Sequence, residues 1–585
     1  MKPDLERRLR PALFRSHAGA KVRRAGALAL VLGAALAPLP GRALEGMKKE
    51  EAVPAPPLPV IRALKLEPES LSLDDGRDAR RVLVWGETDG RGRVDLTGDA
   101  KFQSASPAIE VDADGYIHAK TKGEGEVVVT AAGKQIKLPV KAAGAEIPAI
   151  GFVRDVEPVL SKVGCNQGTC HGSAKGKNGF KLSLRGYDPE FDYQALVNDL
   201  SGRRFNRVAV EQSLMLLKPT GEVPHEGRQV IKPGSRYYDL LREWITQGTK
   251  YESPAKARVQ SLEVLPAEVE LDLPGRSQQV LVIAHYPDGS TRDVTREVIF
   301  SSNNTEVAKV RDGLVTGLRR GEAAVLIKYE GVYATREITV MGDRAGFAWV
   351  APQEYNFIDQ HVNTKLKHMK ILPSDLCSDE EFLRRVYLDL TGVPPTSDRV
   401  RAFLADGSDS RAKREKVVDD LLGSPDYVKF WANKWADLLQ CNSENLGQKG
   451  VWVFRNWIRG AIERNEPYDQ FVRDLLLAKG SSYRNPEVNY YRALREPGKI
   501  AEDVSQTFLG TRFNCNKCHD HPFEKWTQNQ YYELGAYFAR VAIKRGTLGS
   551  DVINGFTGDP QTVAGEEIVY LNYNGGEVKH PKNDQ

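Results

Sequence analysis

Two stretches of the chain, residues 61–143 and 257–341, repeat one pattern of short apolar runs separated by turn residues. The first contains RRVLVWGE and EGEVVVTA, and the second contains QQVLVIAHY and GEAAVLIKY. Apolar and polar residues alternate within these runs, and dipeptides such as DG, GR and KG stand between them. Alternating runs at this spacing are typical of antiparallel β-sandwiches. We therefore predict two all-β sandwich domains from the repeat.

The segments between and after the two copies have helical periodicity instead. Within residues 148–250, the stretch YYDLLREWITQG (residues 237–248) carries apolar residues at helical spacing and ends in glycine. Residues 355–545 contain further amphipathic segments, including DEEFLRRVYLDLTG and DYVKFWANKWADLLQ. We predict two mainly α-helical domains that alternate with the β-sandwiches, followed by an irregular tail over residues 546–585.

The N-terminus, residues 1–43, is typical of an export signal. It holds nine Lys or Arg residues, followed by the apolar run AGALALVLGAALAPLP and the small-residue sequence GRA. A retained membrane anchor is the alternative, although the run is shorter than the ~20 apolar residues that span a bilayer. Residues 44–60 are rich in proline and charge, which favours a linker. The predicted location is outside the cytoplasm, in the periplasm or at the cell surface.

Composition narrows the class of protein. A chain of 585 residues with 41% hydrophobic and 27% charged residues is an ordinary multidomain globular protein. Without the first 43 residues it has 73 basic and 76 acidic residues, so its charge gives no reason to expect nucleic-acid binding. No later stretch is apolar enough to span a membrane. The motifs G-x-S-x-G, H-E-x-x-H and the P-loop are all absent, so a hydrolase is unsupported and we predict no catalytic residues.

Four of the six cysteines form two clusters with histidine. Cys515-x-x-Cys518-His519 has the spacing of c-type haem attachment: the cysteines lie on one side of a helical turn, and the histidine can become the proximal iron ligand. In the first cluster, Cys165, Cys170 and His171, two extra residues separate the thiols. The intervening NQGT must therefore loop out, and we expect Gly168 to supply the backbone freedom.

Three other chemistries fit the same residues. A disulfide within each cluster is reasonable in an exported protein. A zinc site would need a fourth ligand, such as His521 or a remote histidine. A thioredoxin-like redox pair lacks the expected βαβ context. The two remaining cysteines, Cys377 and Cys441, either pair with each other or stay as buried free thiols.

Each haem iron would need a sixth ligand or an open position. For the first cluster the candidates are Met215, in SLMLLKP, and His225, in EVPHEG, with a core methionine and a solvated histidine as the alternatives. The candidates for the second cluster are His521, His361, His368 and Met369. Of these, His521 more plausibly orients the site, and surface histidine is the default for His361 and His368.

The stretch CHDHPFEKWTQNQYYELGAYF also predicts local structure. Thr527 and Gln530 form a candidate capping box for a helix. That helix would carry an aromatic face, either as core or as a wall of the haem pocket; the face comprises Tyr531, Leu534, Tyr537 and Phe538. A Pro522-Phe523 turn would hold Asp520 near His519, where the carboxylate could accept the imidazole N–H, or it could simply stabilise the turn.

The order of these parts resembles a known family of multidomain proteins. YPDGSTRDVT and GLVTGLRRGEA resemble the bacterial immunoglobulin-like group 2 domain, with residues 61–143 as a divergent copy. CNQGTCHGSAKGKNGFKLSLRGYDPEFDY, KPTGEVPHEGR and YYDLLREWITQG resemble the planctomycete-type cytochrome c domain. LRRVYLDLTGVPPT, FWANKWADLL and CHDHPFEKWTQ resemble the domain of unknown function that commonly follows it.

The resemblance implies haem c bound through Cys165, Cys170 and His171, and through Cys515, Cys518 and His519. It also implies a further C-terminal domain, so we expect this chain to be a fragment or a shortened member. The leading prediction is an exported dihaem c-type cytochrome that passes single electrons to an unidentified redox partner protein. Two alternatives are a haem-dependent oxidoreductase with an open iron site, and a cell-surface binding protein whose cysteines form disulfides and whose immunoglobulin-like domains contact the surface or polysaccharide.

Overall fold

The computed structural model describes residues 54–89, 92–173, 175–521, 526–546 and 565–579. Strands and helices occupy largely separate stretches of the chain, and the described residues form five hydrophobic clusters. The predicted export signal, residues 1–43, lies outside the described residues, as does most of the predicted linker. The predicted mixture of β-sheets and helices in one multidomain chain is confirmed. The domain boundaries themselves stay predictions.

The first β-region, residues 61–142, contains nine strands. They are β1 (Ile61–Glu67), β2 (Leu71–Leu73), β3 (Leu83–Thr88), β4 (Arg93–Asp95), β5 (Lys101–Ser104), β6 (Ile109–Val111), β7 (Ile117–Ala119), β8 (Gly123–Ala131) and β9 (Lys134–Ala142). The sheets have the orders β1-β3-β4, β2-β9-β8-β5 and β6-β7. Along β8, Val127, Val129 and Ala131 are buried while the residues between them are not, which is the period of a half-buried strand.

The second β-region, residues 261–340, repeats this arrangement with ten strands. They are β10 (Ser261–Leu265), β11 (Val269–Leu271), β12 (Ser277–Gln279), β13 (Leu281–His285), β14 (Thr291–Asp293), β15 (Ile299–Ser302), β16 (Ala308–Arg311), β17 (Leu314–Gly317), β18 (Gly321–Tyr329) and β19 (Val332–Val340). The sheets have the orders β10-β13-β14, β11-β19-β18-β15 and β12-β17-β16.

The two β-regions match in detail. In each, an early short strand runs parallel to the last strand, β2 with β9 and β11 with β19. Thr97 Oγ1 accepts the Val84 N–H at 2.9 Å, and Thr295 Oγ1 accepts the Val282 N–H at 2.8 Å. Because the sheets and these side-chain bonds recur at equivalent places, the predicted internal repeat of two all-β regions is confirmed.

The first helical region, residues 152–257, has less regular helix than its sequence predicts. Its α-helices are α1 (Glu157–Lys162), α2 (Pro189–Tyr193), α3 (Leu214–Thr220), α4 (Arg236–Thr246) and α5 (Pro254–Ala257), joined by short 3₁₀ and π turns. The helix α4 is the one predicted from YYDLLREWITQG, and it buries Leu241, Trp244 and Ile245 against the core. Gly248 follows it with φ of 89°, as a helix stop requires.

The second helical region, residues 357–536, contains most of the helix. Its members are α6 (Phe357–His368), α7 (Asp379–Thr391), α8 (Ser397–Ala405), α9 (Ser410–Leu421), α10 (Pro425–Leu438), α11 (Ser443–Glu463), α12 (Tyr468–Leu476), α13 (Asn489–Leu494), α14 (Pro497–Leu509) and α15 (Gln528–Ala536). Seven of these ten helices start at a Ser, Thr, Asp or Asn whose side chain accepts a backbone N–H; they are α6 to α11 and α15.

A small sheet corrects the predicted irregular tail over residues 546–585. Its strands are β20 (Gly480–Ser481), β21 (Val541–Arg545) and β22 (Glu567–Leu571), in the order β20-β22-β21. The buried Arg492 donates to Glu567 at 2.6 Å and helps to hold β22 in place. Sequence periodicity missed β22 because a five-residue strand depends on distant partners for its hydrogen bonds.

Candidate functional site

The loop after α1 folds back on itself and brings the first cluster together. Gly164 adopts φ of 89°, and the His171 N–H then donates to the Cys165 carbonyl at 3.0 Å. Gly172 lies so close to the loop that a Cβ there would stand 2.0 Å from the Asn166 carbonyl oxygen. The predicted turn in NQGT is present, but Gly168 was the wrong glycine: it is not among the residues with positive φ, and Gly164 makes the reversal.

The imidazole of His171 is held in one orientation and one tautomer. Its Nδ1 lies 3.1 Å from the Phe180 carbonyl, which can only accept, so Nδ1 carries the proton and Nε2 keeps its lone pair. The Phe180 ring lies 4.5 Å from the imidazole, centre to centre. Burial lowers the pKa of His171, with Arg204 and Lys218 adding to the effect. The neutral ring is the form that ligates a metal.

His225 has the same arrangement on a different loop. Its Nδ1 lies 3.0 Å from the Arg228 carbonyl, which again leaves Nε2 with the lone pair. The rings of His225 and His171 are nearly parallel, at 10°, with centres 6.5 Å apart. Two imidazoles on opposite sides of one metal atom would have ring centres roughly 6 Å apart, given metal–nitrogen bonds of about 2.0–2.1 Å. The two rings stack with their centres at a separation close to this value.

Both histidines line a cavity of about 570 Å³. Cofactor and ligand cavities are usually about 300–1,000 Å³ and mostly apolar. Cys165, Cys170 and Met215 also line this one, together with apolar side chains that include Phe180, Leu182, Leu196, Leu214, Val230 and Ile231. The structure thus brings together all five residues predicted for the first cluster, although Met215 and His225 come from separate segments.

Basic residues surround the same cavity. Lys177, Arg203, Arg204 and Lys218 line it, against the single acidic residue Glu226. The Arg204 guanidinium lies 4.0 Å from the centre of the Phe180 ring, which fixes it over the wall that holds His171. Sequence analysis missed these residues; the only signal was the pair Arg203-Arg204 in an otherwise polar segment. The lining suits an apolar ligand with negatively charged substituents.

All six cysteines lie within the described residues, and all are free thiols. Burial raises the pKa of Cys165 to about 12, so this thiol stays protonated and disfavours thiolate chemistry. Cys441 donates to the Val451 carbonyl, and burial raises its pKa to about 11. The pairing of Cys377 with Cys441 considered from the sequence is not formed.

Behind the first cluster lies a buried polar network that sequence analysis also missed. Asn166, between the two cysteines, is fully buried and donates to Glu157 at 3.0 Å and to Ser161 at 2.8 Å. The backbone carbonyl of Asn166 accepts the Arg185 N–H at 2.9 Å. The loop that carries the cysteines is therefore tied by side-chain and backbone bonds to α1 and to the turn at Arg185.

The second cluster sits on a 3₁₀ turn, Asn514–Lys517, before α15. Cys515 is half-buried and Cys518 is exposed. His519 Nδ1 bonds the Asp520 backbone carbonyl, whereas the Asp520 carboxylate accepts the Gln528 N–H at 2.8 Å. Asp520 therefore stabilises the turn into α15 instead of orienting the imidazole through its carboxylate. The predicted Pro522-Phe523 turn lies outside the described residues.

The helix after the second cluster agrees only in part with its prediction. The capping box of Thr527 and Gln530 is present. Tyr531 is buried, but Tyr537 is 84% exposed. The predicted aromatic face is wrong at Tyr537 because α15 ends at Ala536, so helical periodicity no longer places later residues.

The remaining sixth-ligand candidates are dispersed. His521 is buried beside the second cluster and donates its backbone N–H to Trp526. His361 is exposed on α6, and His368 lies 3.6 Å from Glu270 of the second β-region. Within the described residues, no group of three or more His, Cys, Asp or Glu side chains is arranged to hold a metal ion by itself. The same residues include no helix long and apolar enough to cross a bilayer.

A comparison with protein-family models finds a match to part of the chain. Residues 357–542 match the PSCyt2 family model. It is described as a protein of unknown function (DUF1549). The PSCyt2 match spans α6 to α15 and includes the second cluster, which confirms the predicted domain of unknown function in this part of the chain. A search of curated proteins finds no match.

Solved structures give weak likenesses. Domains 5–6 of the S-layer protein SbsC are 10% identical over 49% of this chain and 99% of that one, with a TM-score of 0.21. A structure of SbsC domains 4–9 is also 10% identical, over 49% of this chain and 32% of that one, with a TM-score of 0.21. Extracellular domains 3–5 of Drosophila OTK are 8% identical over 48% and 63%, with a TM-score of 0.10. These scores are too low to assign a fold or a role.

Proposed function

We propose that the chain is an exported c-type cytochrome that carries single electrons, with one haem c at the first cluster and a second at Cys515, Cys518 and His519. The observation that carries the proposal is the pair of nearly parallel imidazoles, His171 and His225, 6.5 Å apart in a cavity that also contains Cys165 and Cys170. Export is proposed from residues 1–43.

Different residues of the cavity would hold different parts of the haem. Cys165 and Cys170 would form the two thioether bonds, and the Nε2 atoms of His171 and His225 would ligate the iron. Apolar side chains would cover the porphyrin faces, and the basic residues at the rim would pair with its propionates. When bound, haem c supplies a one-electron Fe(III)/Fe(II) couple.

The carbonyl bonds to both Nδ1 atoms have a chemical consequence. Each bond fixes the tautomer and ring orientation, and it raises the basicity of Nε2 as a ligand. His225 is favoured over Met215 because a half-buried methionine at the start of α3 has no such orienting bond, although Met215 lines the same space. Two histidine ligands would leave the iron no open position, which would favour electron transfer over substrate oxidation.

Covalent haem content tests the proposal. The full chain is expressed with a c-type maturation system and denatured, and haem is counted per polypeptide. We expect two haems. The double variant Cys165→Ala/Cys170→Ala should lose one and Cys515→Ala/Cys518→Ala the other. A chain that matures without any covalent haem contradicts the proposal, and a single haem that survives the first double variant contradicts its assignment to this cavity.

Absorption and electron paramagnetic resonance spectra test the axial ligands. We expect a low-spin bis-histidine spectrum for the first haem. His225→Ala should convert it to a high-spin or water-ligated form, while the control Met215→Leu leaves it unchanged. If Met215→Leu changes the spin state and His225→Ala leaves it unchanged, the sixth ligand is Met215 and not His225.

A further inference from the structure

Two carboxyl groups are buried directly behind the first cluster. Glu157 at the start of α1 and Asp192 in α2 both have 0% of their surface exposed. Within the described residues, neither forms an ion pair with Lys or Arg: Asp192 accepts the N–H and hydroxyl of Ser183, and Glu157 accepts from Asn166. Both lie outside the ligand set proposed above.

The two carboxyl groups also hydrogen-bond each other. Two carboxylates cannot do so unless one carries a proton, because ionised oxygens only accept. The second oxygen of Glu157 receives no N–H or O–H from any other described residue. Burial raises the pKa of Asp192 to about 7 and that of Glu157 well above its usual range. The geometry is that of a pair sharing one proton.

Charged groups on the neighbouring elements bear on this proton. Asp188, before α2, and Glu330, at the turn between β18 and β19, add negative charge that favours protonation. Burial raises the pKa of Glu330 itself to about 8, with Arg258 and Lys328 lowering it and Glu252 raising it. Lys328 is itself buried, and burial lowers its pKa to about 7, so it needs a control of its own.

A water-sized space lies against Pro158 and Ser161 of α1. A cavity of about 10 Å³ is lined by Ser161, Arg185, Lys328 and Glu330 among others. A volume near 10–15 Å³ is roughly what a single water molecule requires. Ser161 also accepts from Asn166, which donates to Glu157. One water here would connect the network around the pair towards the β18–β19 turn.

The pair is linked to the first cluster in two ways. Asn166 stands between Cys165 and Cys170 and bonds Glu157 directly. The charge of Glu157 also reaches the sulfur of Cys165, where it contributes to the raised pKa of that thiol. A change of charge at the cluster therefore acts back on the carboxyl pair, since such an interaction is reciprocal.

We propose that Glu157 and Asp192 form a proton-binding site that takes up one proton from solvent when the first cluster gains an electron, and releases it when the electron leaves. The electron comes from a one-electron donor protein, and the only bond made is the O–H of one carboxyl group. The coupling rests on the proposed function. The shared proton itself does not.

Potentiometry of the haem-loaded full chain tests the coupling. Between about pH 6 and 8, the midpoint potential of the first haem should fall with a slope approaching 59 mV per pH unit, a tenfold change in equilibrium constant for each unit. Glu157→Gln should flatten the slope, because glutamine keeps the bond from Asn166 and cannot titrate. The controls Glu330→Gln and Lys328→Met should keep it. A flat wild-type profile, or a slope abolished by either control alone, would overturn the coupling.

Infrared spectroscopy of the full chain without haem tests the proton separately. A protonated carboxyl C=O band should be present at pH 6, above the range in which ordinary carboxyls titrate, and part of it should disappear in Glu157→Gln and in Asp192→Asn. Because burial also raises the pKa of Glu330 to about 8, Glu330→Gln identifies the part of the band that belongs to that residue. Glu190→Gln, an exposed change in α2, is the matched control and should keep the band. A band absent from the wild type overturns the proton site. A band present in a chain that never attaches haem refutes the cytochrome proposal and the coupling but leaves the shared proton established.

Discussion

Single residues set the shape of the loop that carries the first cluster. Gly172 has no side chain where a Cβ would meet the Asn166 carbonyl oxygen at 2.0 Å. Carbonyl oxygen is backbone and cannot rotate away, so any larger residue must push the loop open. The His171 N–H bond to Cys165 depends on the same fold-back. This glycine, which the motif alone does not distinguish, therefore controls where the histidine points.

Gly172→Ala should destabilise the folded chain by about 2–4 kcal/mol, because a backbone clash in a buried turn is among the costly substitutions. Urea unfolding followed by tryptophan fluorescence measures the loss. Gly168→Ala is the matched control in the same loop: its Cβ would meet nothing nearer than Leu184 at 3.5 Å. The control should change stability by less than about 0.5 kcal/mol. Equal effects of the two changes would contradict this account.

At the scale of elements, helix ends were predicted better than helix faces. The capping box at Thr527 depends on residues three apart, so sequence alone locates it. The face that follows depends on where the helix stops and what covers it. Tyr531 is buried and donates to Glu502 at 2.7 Å, whereas Tyr537 lies beyond the last helical residue. In α4, by contrast, Leu241, Trp244 and Ile245 are buried on the face that the apolar spacing predicts.

Thr527→Ala should cost about 1 kcal/mol, because the first turn of α15 loses the side-chain acceptor for the Gln530 N–H. Amide hydrogen exchange over residues 528–532 should speed up, with little change in α14. The exposed neighbour Asn529→Ala is the control and should leave both exchange and stability nearly unchanged. Unaltered protection at the start of α15 in Thr527→Ala would show that the cap is dispensable.

At the scale of the molecule, ion pairs join the β-regions to the first helical region. Asp155, just before α1, bonds Arg292 of the second β-region at 2.8 Å and lies 3.3 Å from Arg77 near the first. Arg296 of the second β-region pairs with Asp112 of the first at 2.7 Å and covers the Tyr116 ring. Ion pairs therefore link both β-regions to each other and to the helical region that contains the cavity of the first cluster.

Asp112 makes part of this framework dependent on pH. Arg296 and neighbouring donors lower its pKa to about 2, below the unfolded value near 3.8, despite partial burial. A lowered folded pKa stabilises the protein above about pH 4 and loses its contribution as pH falls towards 2.

Asp112→Asn should therefore cost about 1 kcal/mol at pH 7, after allowance for solvent screening of a partly exposed pair. The difference from wild type should shrink as pH falls from 4 to 2, as measured by thermal unfolding across that range. Asp114→Asn removes the second, 77% exposed partner of Arg296 and should have a smaller effect. A cost for Asp112→Asn that stays constant down to pH 2 would contradict the assignment.

Much of the fold was predictable because it depends on local pattern. The repeated β-regions follow from alternating runs and turn dipeptides, and α4 follows from its apolar spacing and Gly248. The short turns around α2 and α3 were not predictable, since they have too few residues for a period to appear. The strand β22 was missed because its partners β20 and β21 come from other parts of the chain.

The sequence by itself determined which residues form the two Cys–His clusters, since their spacing is a property of adjacent positions. It also supplied His225 and Met215 as candidates without ranking them. Tertiary structure decided that His225 stands parallel to His171, that basic residues ring their cavity, and that Glu157 meets Asp192 behind it. These relations join segments that are distant in the chain. They depend on hydrogen-bond geometry and burial in three dimensions, which no local sequence period encodes.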